Sequence, residues 1–408
     1  MKGILIIADG LGGRPTDVDG HTCLEAAETP RINELAARGA VGLLDPIGPG
    51  VRPGSDVAHL SIFGYDPYNE YPGRGVFEAV GVGLEVQAGD VCFRTNFAAV
   101  DDEFVVQDRR AGRIESGQAE LEQALRELHL GDGVEVVFKA STEHRGALIL
   151  RGQGLSAAIT EADPHEPGQQ VWEVRPTDYS NEAARTAELV NTMIRQSHDL
   201  LTDLPLNRRR RQDGQPPANV LLPRGAAAAP HFESIPSKYG AQGSVIGGGA
   251  LYIGIGKLLG LEHHPVEGAT GGLDSNLMNK ADAAIEELGA KDFVFVHMKG
   301  TDSAGHDHNA EAKVDFIERV DEAVGHIVDH LEWRETHLAF TGDHCTPIAY
   351  GDHTAEPVPV LFAGPNVLPD AVERFGERAA QRGGLGRFSG RVVPMLAGYA
   401  NWLKKYGA

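Results

Sequence analysis

The stretch Phe293-Val294-Phe295-Val296-His297-Met298-Lys299-Gly300-Thr301-Asp302 decides the fold of this chain. Its first four residues form an apolar run of β-forming types, which predicts a buried strand, and an acidic residue follows close behind. Two further runs share this design, with acids or imidazoles after the strand: Ile4–Ile7 before Asp9, and His337–Phe340 before Asp343 and His344. In open α/β sheets the strand ends and their following loops face one crevice. The sequence therefore predicts an α/β fold with polar ligands gathered at strand carboxyl ends.

The acids and histidines behind these strands form a candidate metal site, to which His353 also belongs. Carboxylate oxygens and imidazole nitrogens suit Mn, Zn and similar ions, whereas an all-oxygen set would favour Mg or Ca. His306 follows Asp302 by four residues, so one helical turn or a tight loop would direct both at one ion. The adjacent Asp343 and His344 suit an irregular turn. Each residue alone is more simply a helix cap or a loop residue, but together with Ser55 they predict a site for two metal ions.

Ser55 is the candidate nucleophile of this site. It lies in the turn-forming stretch 50–56, and the apolar spacing of residues 57–63 predicts a short helix that Ser55 or Asp56 would cap. A hydroxyl at a helix N-terminus lies among unpaired N–H groups, which favour a phosphate. Beside a divalent ion it would ionise near neutral pH and attack phosphorus. The simpler alternative is a plain helix cap.

The candidate ligands divide into an early and a late group, so distant segments must complete one catalytic sheet. From about residue 89 to 175 the pattern changes to short β-rich runs with one helix-like run, which predicts a compact α+β insertion. We therefore predict a metal-binding catalytic domain in two parts, 1–88 and 176–408, with an inserted cap or substrate domain at 89–175. Asn219–Leu222 is predicted to return to the catalytic sheet. A cap would exclude water from the site.

The bulk properties exclude several classes of protein. A net charge of −21 repels nucleic acid and anionic lipid at long range. The basic run Arg208–Arg211 has the flanking composition of a solvated loop. No apolar run is long enough for a membrane span or a signal-peptide core, and the three scattered cysteines lack CxxC spacing. These features predict a soluble cytoplasmic protein with reduced thiols and no nucleic-acid or membrane partner.

The order Asp9, Ser55, Asp302, His306, Asp343, His344 and His353 resembles the alkaline phosphatase superfamily of two-metal phosphoryl-transfer enzymes. Within it, the stretches GSDVAHLSIFGYDP, EHRGALILRG, SKYGAQGSVIGGG and VHMKGTDSAGHD are similar to the archaeal-type, cofactor-independent phosphoglycerate mutases. The likeness extends from Met1 to about Pro365. The metal motifs are shared with phosphatases and phosphopentomutases, whereas GYDP, EHRGALILRG and HMKGTDSAGHD are more discriminating. Cys345 departs from the Ser that usually follows the Asp-His pair, and we expect it to be a spectator.

This resemblance implies an alkaline-phosphatase-like, doubly wound catalytic domain with a smaller inserted α+β cap domain. It implies that Asp9, Ser55, Asp343 and His344 hold one metal, and that Asp302, His306 and His353 hold the other. Mn is the first expectation, with Zn, Mg or Co as alternatives. Ser55 would be the phosphoserine. The residues implied to grip the carboxylate and phosphate of the substrate are Arg94, Asn96, Arg145 and Lys238.

The activity implied is that of an isomerase of glycolysis and gluconeogenesis. It would interconvert 3-phosphoglycerate and 2-phosphoglycerate through the phosphoserine, without 2,3-bisphosphoglycerate. A metal-dependent phosphomonoesterase, another phosphosugar mutase and a non-catalytic metal-binding protein remain as alternatives. The sequence does not decide the oligomeric state.

Overall fold

The computed structural model describes residues 1–131 and 133–407. Its strands are β1 Lys2–Ala8, β2 Ala40–Asp45, β3 Val91–Val100, β4 Val106–Asp108, β5 Glu135–Ala140, β6 Arg145–Arg151, β7 Val220–Ala228, β8 Gly243–Ile246, β9 Glu262–His263, β10 Phe293–Met298, β11 Thr336–Thr341, β12 Val358–Ala363 and β13 Gly386–Ser389.

The helices are α1 Cys23–Ala26, α2 Pro30–Ala37, α3 Ser55–Ile62, α4 Pro67–Glu70, α5 Arg74–Gly81, α6 Gln118–Leu125, α7 Asn181–Thr202, α8 Pro205–Gln212, α9 Ile235–Tyr239, α10 Ala250–Leu258, α11 Leu277–Ala290, α12 Gly300–His306, α13 Ala310–Asp329, α14 Glu377–Ala380 and α15 Val392–Tyr399. Among the described residues no helix combines the length and apolar character that crossing a membrane requires.

The chain divides into two compact units, one inserted in the other. The first unit contains Met1–Tyr71 and the chain from Phe232 onward, and the second contains Pro72–His231. The second unit therefore extends beyond the predicted insertion of 89–175 on both sides. It takes in α5, α7 and α8 as well as strand β7, which pairs with β3.

The first unit is built on an eight-stranded sheet of order β13-β2-β12-β11-β1-β10-β8-β9. All neighbours are parallel except β12, which runs antiparallel to both β11 and β2. The three strands predicted from apolar runs are adjacent, since Ile6 pairs with Val296 on one side and Phe340 on the other. The carboxyl ends of β10, β1 and β11 therefore meet.

Helices cover both faces of this sheet, which explains why its central strands are apolar without alternation. Ile4 and Ile6 belong to the core that includes Phe316 and Val320 of α13. On the opposite face Phe63 packs edge-on against Phe295, with ring centroids 5.1 Å apart. The sheet is thus doubly wound, as predicted.

The second unit contains an antiparallel five-stranded sheet. Its longest strand, β3, pairs with β4, β6 and β7, and β6 pairs with β5. Residues of α7, including Val190 and Met193, pack in its core with Leu221 of β7. The predicted class, α/β with a smaller α+β insertion, is confirmed.

Two local predictions were wrong. Asn219–Leu222 does not rejoin the first sheet, because Leu222 pairs with Asn96 of β3 and the Asn219 side chain bonds both backbone groups of Val100 at 2.9 Å. Arg208–Arg211 is helical and not a loop. Its Arg209 pairs with Glu120 at 3.2 Å, and Arg210 donates to the Pro216 carbonyl at 2.9 Å.

Candidate active site

The carboxyl ends of three neighbouring strands bring the predicted ligands together. Asp9 follows β1, Asp302 and His306 lie on α12 directly after β10, and Asp343 and His344 lie in the irregular turn after β11. Except for His306, these side chains are buried. The topology thus concentrates ionisable groups where solvent does not screen them.

The first predicted ligand group is assembled around His344. Its Nε2 lies 3.4 Å from Asp9 Oδ1, 3.3 Å from Asp343 Oδ2 and 3.1 Å from Ser55 Oγ. One ligand atom from each of Asp9, Asp343 and His344 lies within 4.8 Å of the other two. These four residues are the ones that the family resemblance implies for one metal.

The second group is assembled around Asp302. Its Oδ1 lies 3.3 Å from His306 Nε2, one helical turn away on α12, and 3.4 Å from His353 Nε2. The other ring nitrogens bond backbone carbonyls: Nδ1 of His306 lies 2.9 Å from Gly351 O, and Nδ1 of His353 lies 2.9 Å from Pro53 O. Both rings are therefore held with Nε2 toward the carboxylate, the orientation that a metal ligand needs.

Two buried carboxylate oxygens indicate that this cluster suits a cation. Asp9 Oδ1 and Asp343 Oδ2 have no hydrogen-bond partner among the described residues. Burial and the neighbouring Asp9 carboxylate raise the pKa of Asp343 well above its ordinary value. Burial lowers the pKa of His344 to about 3, so its ring is neutral and its Nε2 is available as a ligand. Crowded carboxylates with neutral imidazoles fit divalent cations, and the mixed oxygen and nitrogen set suits Mn or Zn.

Ser55 does not cap its helix, contrary to prediction. The N-cap of α3 is Gly54, with extended backbone (φ −83°, ψ 156°), and Ser55 is the first helical residue. Asp56 does not cap it either, since its Oδ1 accepts from the adjacent Val57 N–H at 3.0 Å. The Ser55 hydroxyl is instead directed at His344, and so at the first ligand group. This placement favours the nucleophile over the plain-cap alternative.

Sequence reasoning missed the groups that flank the ligands. Lys299 Nζ lies 2.6 Å from Asp302 Oδ2 and 3.4 Å from Asp9 Oδ2, so it links the two groups. Burial opposes ionisation of Asp302, but Lys299 outweighs it and holds the pKa of that carboxyl well below its ordinary value. His297 Nε2 lies 3.0 Å from Asp9 Oδ2, and Tyr252 stacks on its ring. The signal available in the sequence was that His297 and Lys299 both lie in the stretch 293–302, between the predicted strand and Asp302.

The predicted substrate residues Arg94, Asn96 and Arg145 lie in the second unit. Asn96 pairs with Arg145 between β3 and β6, and Arg94 pairs with Arg224 between β3 and β7. Burial, with the nearby Arg74 guanidinium, lowers the pKa of Arg94 well below its ordinary value. Arg74, Arg94 and Arg145 lie around Glu78, whose Oε1 is 3.7 Å from Arg94 Nε, and the Arg224 charge acts on Arg94. The structure thus adds Arg74 and Arg224 to the predicted basic group.

Lys238, the remaining predicted substrate residue, lies in the first unit. Its Nζ donates to the Gly64 carbonyl at 3.1 Å and lies 4.3 Å from the centre of the Tyr65 ring. None of its contacts within 1–131 and 133–407 joins it to Asp9, Asp302 or Asp343.

The Cys345 thiol takes no part in the ligand cluster. It donates to the Glu356 carbonyl at 3.5 Å, and burial raises its pKa well above the ordinary value. A protonated, buried thiol is neither a metal ligand nor a reactive nucleophile.

Comparison with known proteins gives consistent family assignments. Residues 36–207 match a family model described as "2,3-bisphosphoglycerate-independent phosphoglycerate mutase", and residues 211–356 match one described as "Type I phosphodiesterase / nucleotide pyrophosphatase". A relative from Methanococcus aeolicus named "2,3-bisphosphoglycerate-independent phosphoglycerate mutase" is 46% identical, with 100% of both chains covered. A relative from Methanocaldococcus jannaschii with this name and the number 1 is also 46% identical, covering 100% of this chain and 99% of the relative.

Solved structures also match this chain along nearly its whole length. The PH0037 protein from Pyrococcus horikoshii has a TM-score of 0.85 at 38% identity, over 100% of this chain and 99% of that one. A structure titled cofactor-independent phosphoglycerate mutase from Thermoplasma acidophilum has a TM-score of 0.69 at 35% identity, over 98% of this chain and 100% of that one. With relatives this similar along its whole length, the chain belongs to the family of 2,3-bisphosphoglycerate-independent phosphoglycerate mutases.

Proposed function

We propose that this chain is an isomerase that interconverts 3-phosphoglycerate and 2-phosphoglycerate without 2,3-bisphosphoglycerate, in glycolysis and gluconeogenesis. The observation that carries the proposal is the Ser55 hydroxyl, which lies 3.1 Å from His344 Nε2 in the first ligand group. The full-length relatives are named for this activity. The three described cysteines are free and buried, and we propose that the protein acts in the cytoplasm.

The reaction requires a group that holds the phosphoryl while the glycerate turns. Ser55 Oγ loses its proton and forms a bond to phosphorus as the bond from phosphorus to the glycerate oxygen breaks. That oxygen takes up a proton, which leaves a phosphoserine and a bound glycerate with a free hydroxyl. The other glycerate hydroxyl then attacks the phosphoserine, and Ser55 Oγ leaves. Lys299 is placed to stabilise negative charge on the transferred group, since its ammonium lies between Asp9 and Asp302.

Asp9, Ser55, Asp343 and His344 would hold one divalent ion, and Asp302, His306 and His353 the other. When bound, these ions would lower the pKa of the Ser55 hydroxyl and neutralise charge on the phosphoryl oxygens. We propose Mn as the first candidate, with Zn, Mg or Co as alternatives.

The substrate anion needs local positive charge, because the whole chain carries a net charge of −21. We propose that Arg94, Asn96, Arg145 and Lys238 bind its carboxylate and phosphate. The partly buried Arg94 and Arg224 support this role, since desolvated guanidinium groups form strong bidentate bonds with such anions.

A hydrolase is the second candidate, favoured by the match of residues 211–356 to the phosphodiesterase model. In that case water, and not the second glycerate hydroxyl, would take the phosphoryl group from Ser55. The two functions differ in their products.

The test is an assay of the purified protein with 3-phosphoglycerate and Mn, without 2,3-bisphosphoglycerate, that follows 2-phosphoglycerate and free phosphate together. Formation of 2-phosphoglycerate should exceed phosphate release, and Ser55→Ala should lower it by about 10³-fold or more. Ser61→Ala, the same change farther along α3, is the matched control and should retain activity. Faster phosphate release would select the hydrolase, and substantial activity in Ser55→Ala would refute the serine mechanism.

A further inference from the structure

Lys313 of α13 is a lysine with no exposed side-chain surface. Its ammonium donates to two backbone carbonyls, Gly12 O at 3.0 Å and Thr346 O at 2.9 Å. Burial of an ammonium costs free energy unless its donors are satisfied, so these bonds constrain both carbonyls strongly. A buried cation therefore joins the loop after β1 to the loop after β11.

Both loops carry candidate metal ligands close to the constrained residues. Gly12 follows Asp9 in the first loop, and Thr346 follows His344 in the second. Thr346 N–H donates to Gly12 O at 3.1 Å, the same carbonyl that Lys313 binds. The Lys313 ammonium and this backbone bond thus fix Thr346 from two sides.

The Thr346 hydroxyl in turn contacts both ligand groups. Its Oγ1 lies 3.0 Å from Asp302 Oδ1 and 3.1 Å from His344 Nδ1. Because a carboxylate only accepts, the hydroxyl donates to Asp302 and accepts from His344 Nδ1–H. This pattern leaves His344 Nε2 without its proton, facing Asp9, Asp343 and Ser55.

We propose that Lys313 is a positioning residue for both metal groups, acting through Thr346. Its ammonium holds the Thr346 backbone, so that one hydroxyl orients Asp302 and selects the ligand tautomer of His344. The inference rests on the proposed function only in requiring that these residues bind metal, and metal binding can be measured without catalysis.

The experiment is calorimetric titration of the chelator-treated, full-length protein with Mn alone, together with thermal unfolding of the metal-free form. Lys313→Met keeps the length of the side chain and removes the charge, and it should weaken Mn binding by about 10–100-fold. Thr346→Val should weaken it similarly, whereas Thr346→Ser keeps the hydroxyl and should restore binding to within about threefold of the native protein. The double variant Lys313→Met, Thr346→Val should bind Mn about as well as the weaker single variant.

Lys280→Met is the matched control. Lys280 is equally buried on α11, and its Nζ bonds His297 O at 3.1 Å and Thr270 O at 3.4 Å. Of its two partners only His297 contacts a candidate ligand, Asp9, and within the described residues neither contacts Asp302 or His344, so this variant should lose stability while its Mn affinity falls by a smaller factor than in Lys313→Met.

Native Mn affinity in Lys313→Met, an equal loss in Lys280→Met, or additive effects in the double variant would each overturn the proposal. If Lys313→Met does not fold, the two Thr346 variants decide: native Mn affinity in Thr346→Val, or no rescue by Ser, overturns it. Failure of the proposed function would appear differently, as native Mn binding by a protein that forms no 2-phosphoglycerate.

Discussion

Glu377, at the start of α14, should make stability fall as the pH rises. Its Oε1 accepts from Gly13 N–H at 3.1 Å, and its Oε2 accepts from the Thr22 hydroxyl at 2.8 Å. Burial nevertheless raises the pKa of Glu377 from 4.5 to about 7, with a further contribution from Glu25. The folded protein therefore retains a proton that the unfolded chain releases. The stability linked to this group is complete below pH 4.5 and is lost as the pH rises through about 7.

The magnitude follows from this pKa difference. One pKa unit corresponds to about 1.4 kcal/mol, so the shift is worth at most about 3 kcal/mol above pH 7 for this half-buried side chain. Roughly 2 kcal/mol of that loss falls between pH 5.5 and pH 8. Glu377→Gln removes the titrating group, and the Gln side chain can still accept from Gly13 N–H. The stability of this variant relative to the native protein should therefore rise by up to roughly 2 kcal/mol between pH 5.5 and pH 8.

The assay is urea unfolding of both proteins at pH 5.5 and pH 8 with a chelator present, so that metal binding does not contribute. Groups that titrate in both proteins cancel in the difference between their free energies of unfolding. Glu373→Gln, on the exposed surface nearby, should change that free energy by less than about 0.5 kcal/mol at either pH. If the free energy of unfolding of Glu377→Gln differs from that of the native protein by the same amount at both pH values, the burial argument is refuted.

Three further predictions concern the site. Chelation should abolish activity reversibly and lower the melting temperature, because metal binds only the folded state; full activity after chelation would contradict the metal assignment. Gly300→Ala should cost about 1–3 kcal/mol and weaken Mn binding, since the new Cβ would lie 2.3 Å from the Phe316 ring and displace α12. Gly289→Ala in α11 meets open space and should be neutral in denaturation and Mn titration, and equal effects of the two changes would refute the clash. Arg94→Leu should raise KM for 3-phosphoglycerate by about 10–100-fold with unchanged Mn affinity, and an unchanged KM in steady-state kinetics would remove Arg94 from the substrate residues.

The sequence was sufficient where local pattern determines structure. Buried parallel strands need apolar side chains on both faces, so the runs before Asp9, Asp302 and Asp343 predicted three buried strands correctly, and the structure shows that they are neighbours. The spacing of Asp302 and His306 predicted either a helical turn or a tight loop, and the structure has the helical turn. Both inferences depend on a few consecutive residues.

The sequence was insufficient where a contact with a residue far away in the chain determines the structure. Strand β7 suits either sheet by its apolar character, and only pairing with β3 places it in the second unit. A lysine on a long helix usually extends into solvent, so nothing local distinguishes Lys313, which is buried only because two loops supply carbonyls to it. Ser55 resembles a cap in sequence, and the preceding glycine takes that position instead.

The position of β1 between β10 and β11 has a consequence for synthesis. Strand β1 is synthesised before both of its neighbours, and among the described residues it hydrogen-bonds only to strands that begin at residues 293 and 336. At about 5–20 residues per second, its apolar run waits roughly 15–60 s for the first of them. The inserted sheet is made entirely from strands between residues 91 and 228, so its folding can finish during that interval. Ile4–Ile7 is therefore an apolar segment of the nascent chain that needs protection, as by a chaperone, during this interval.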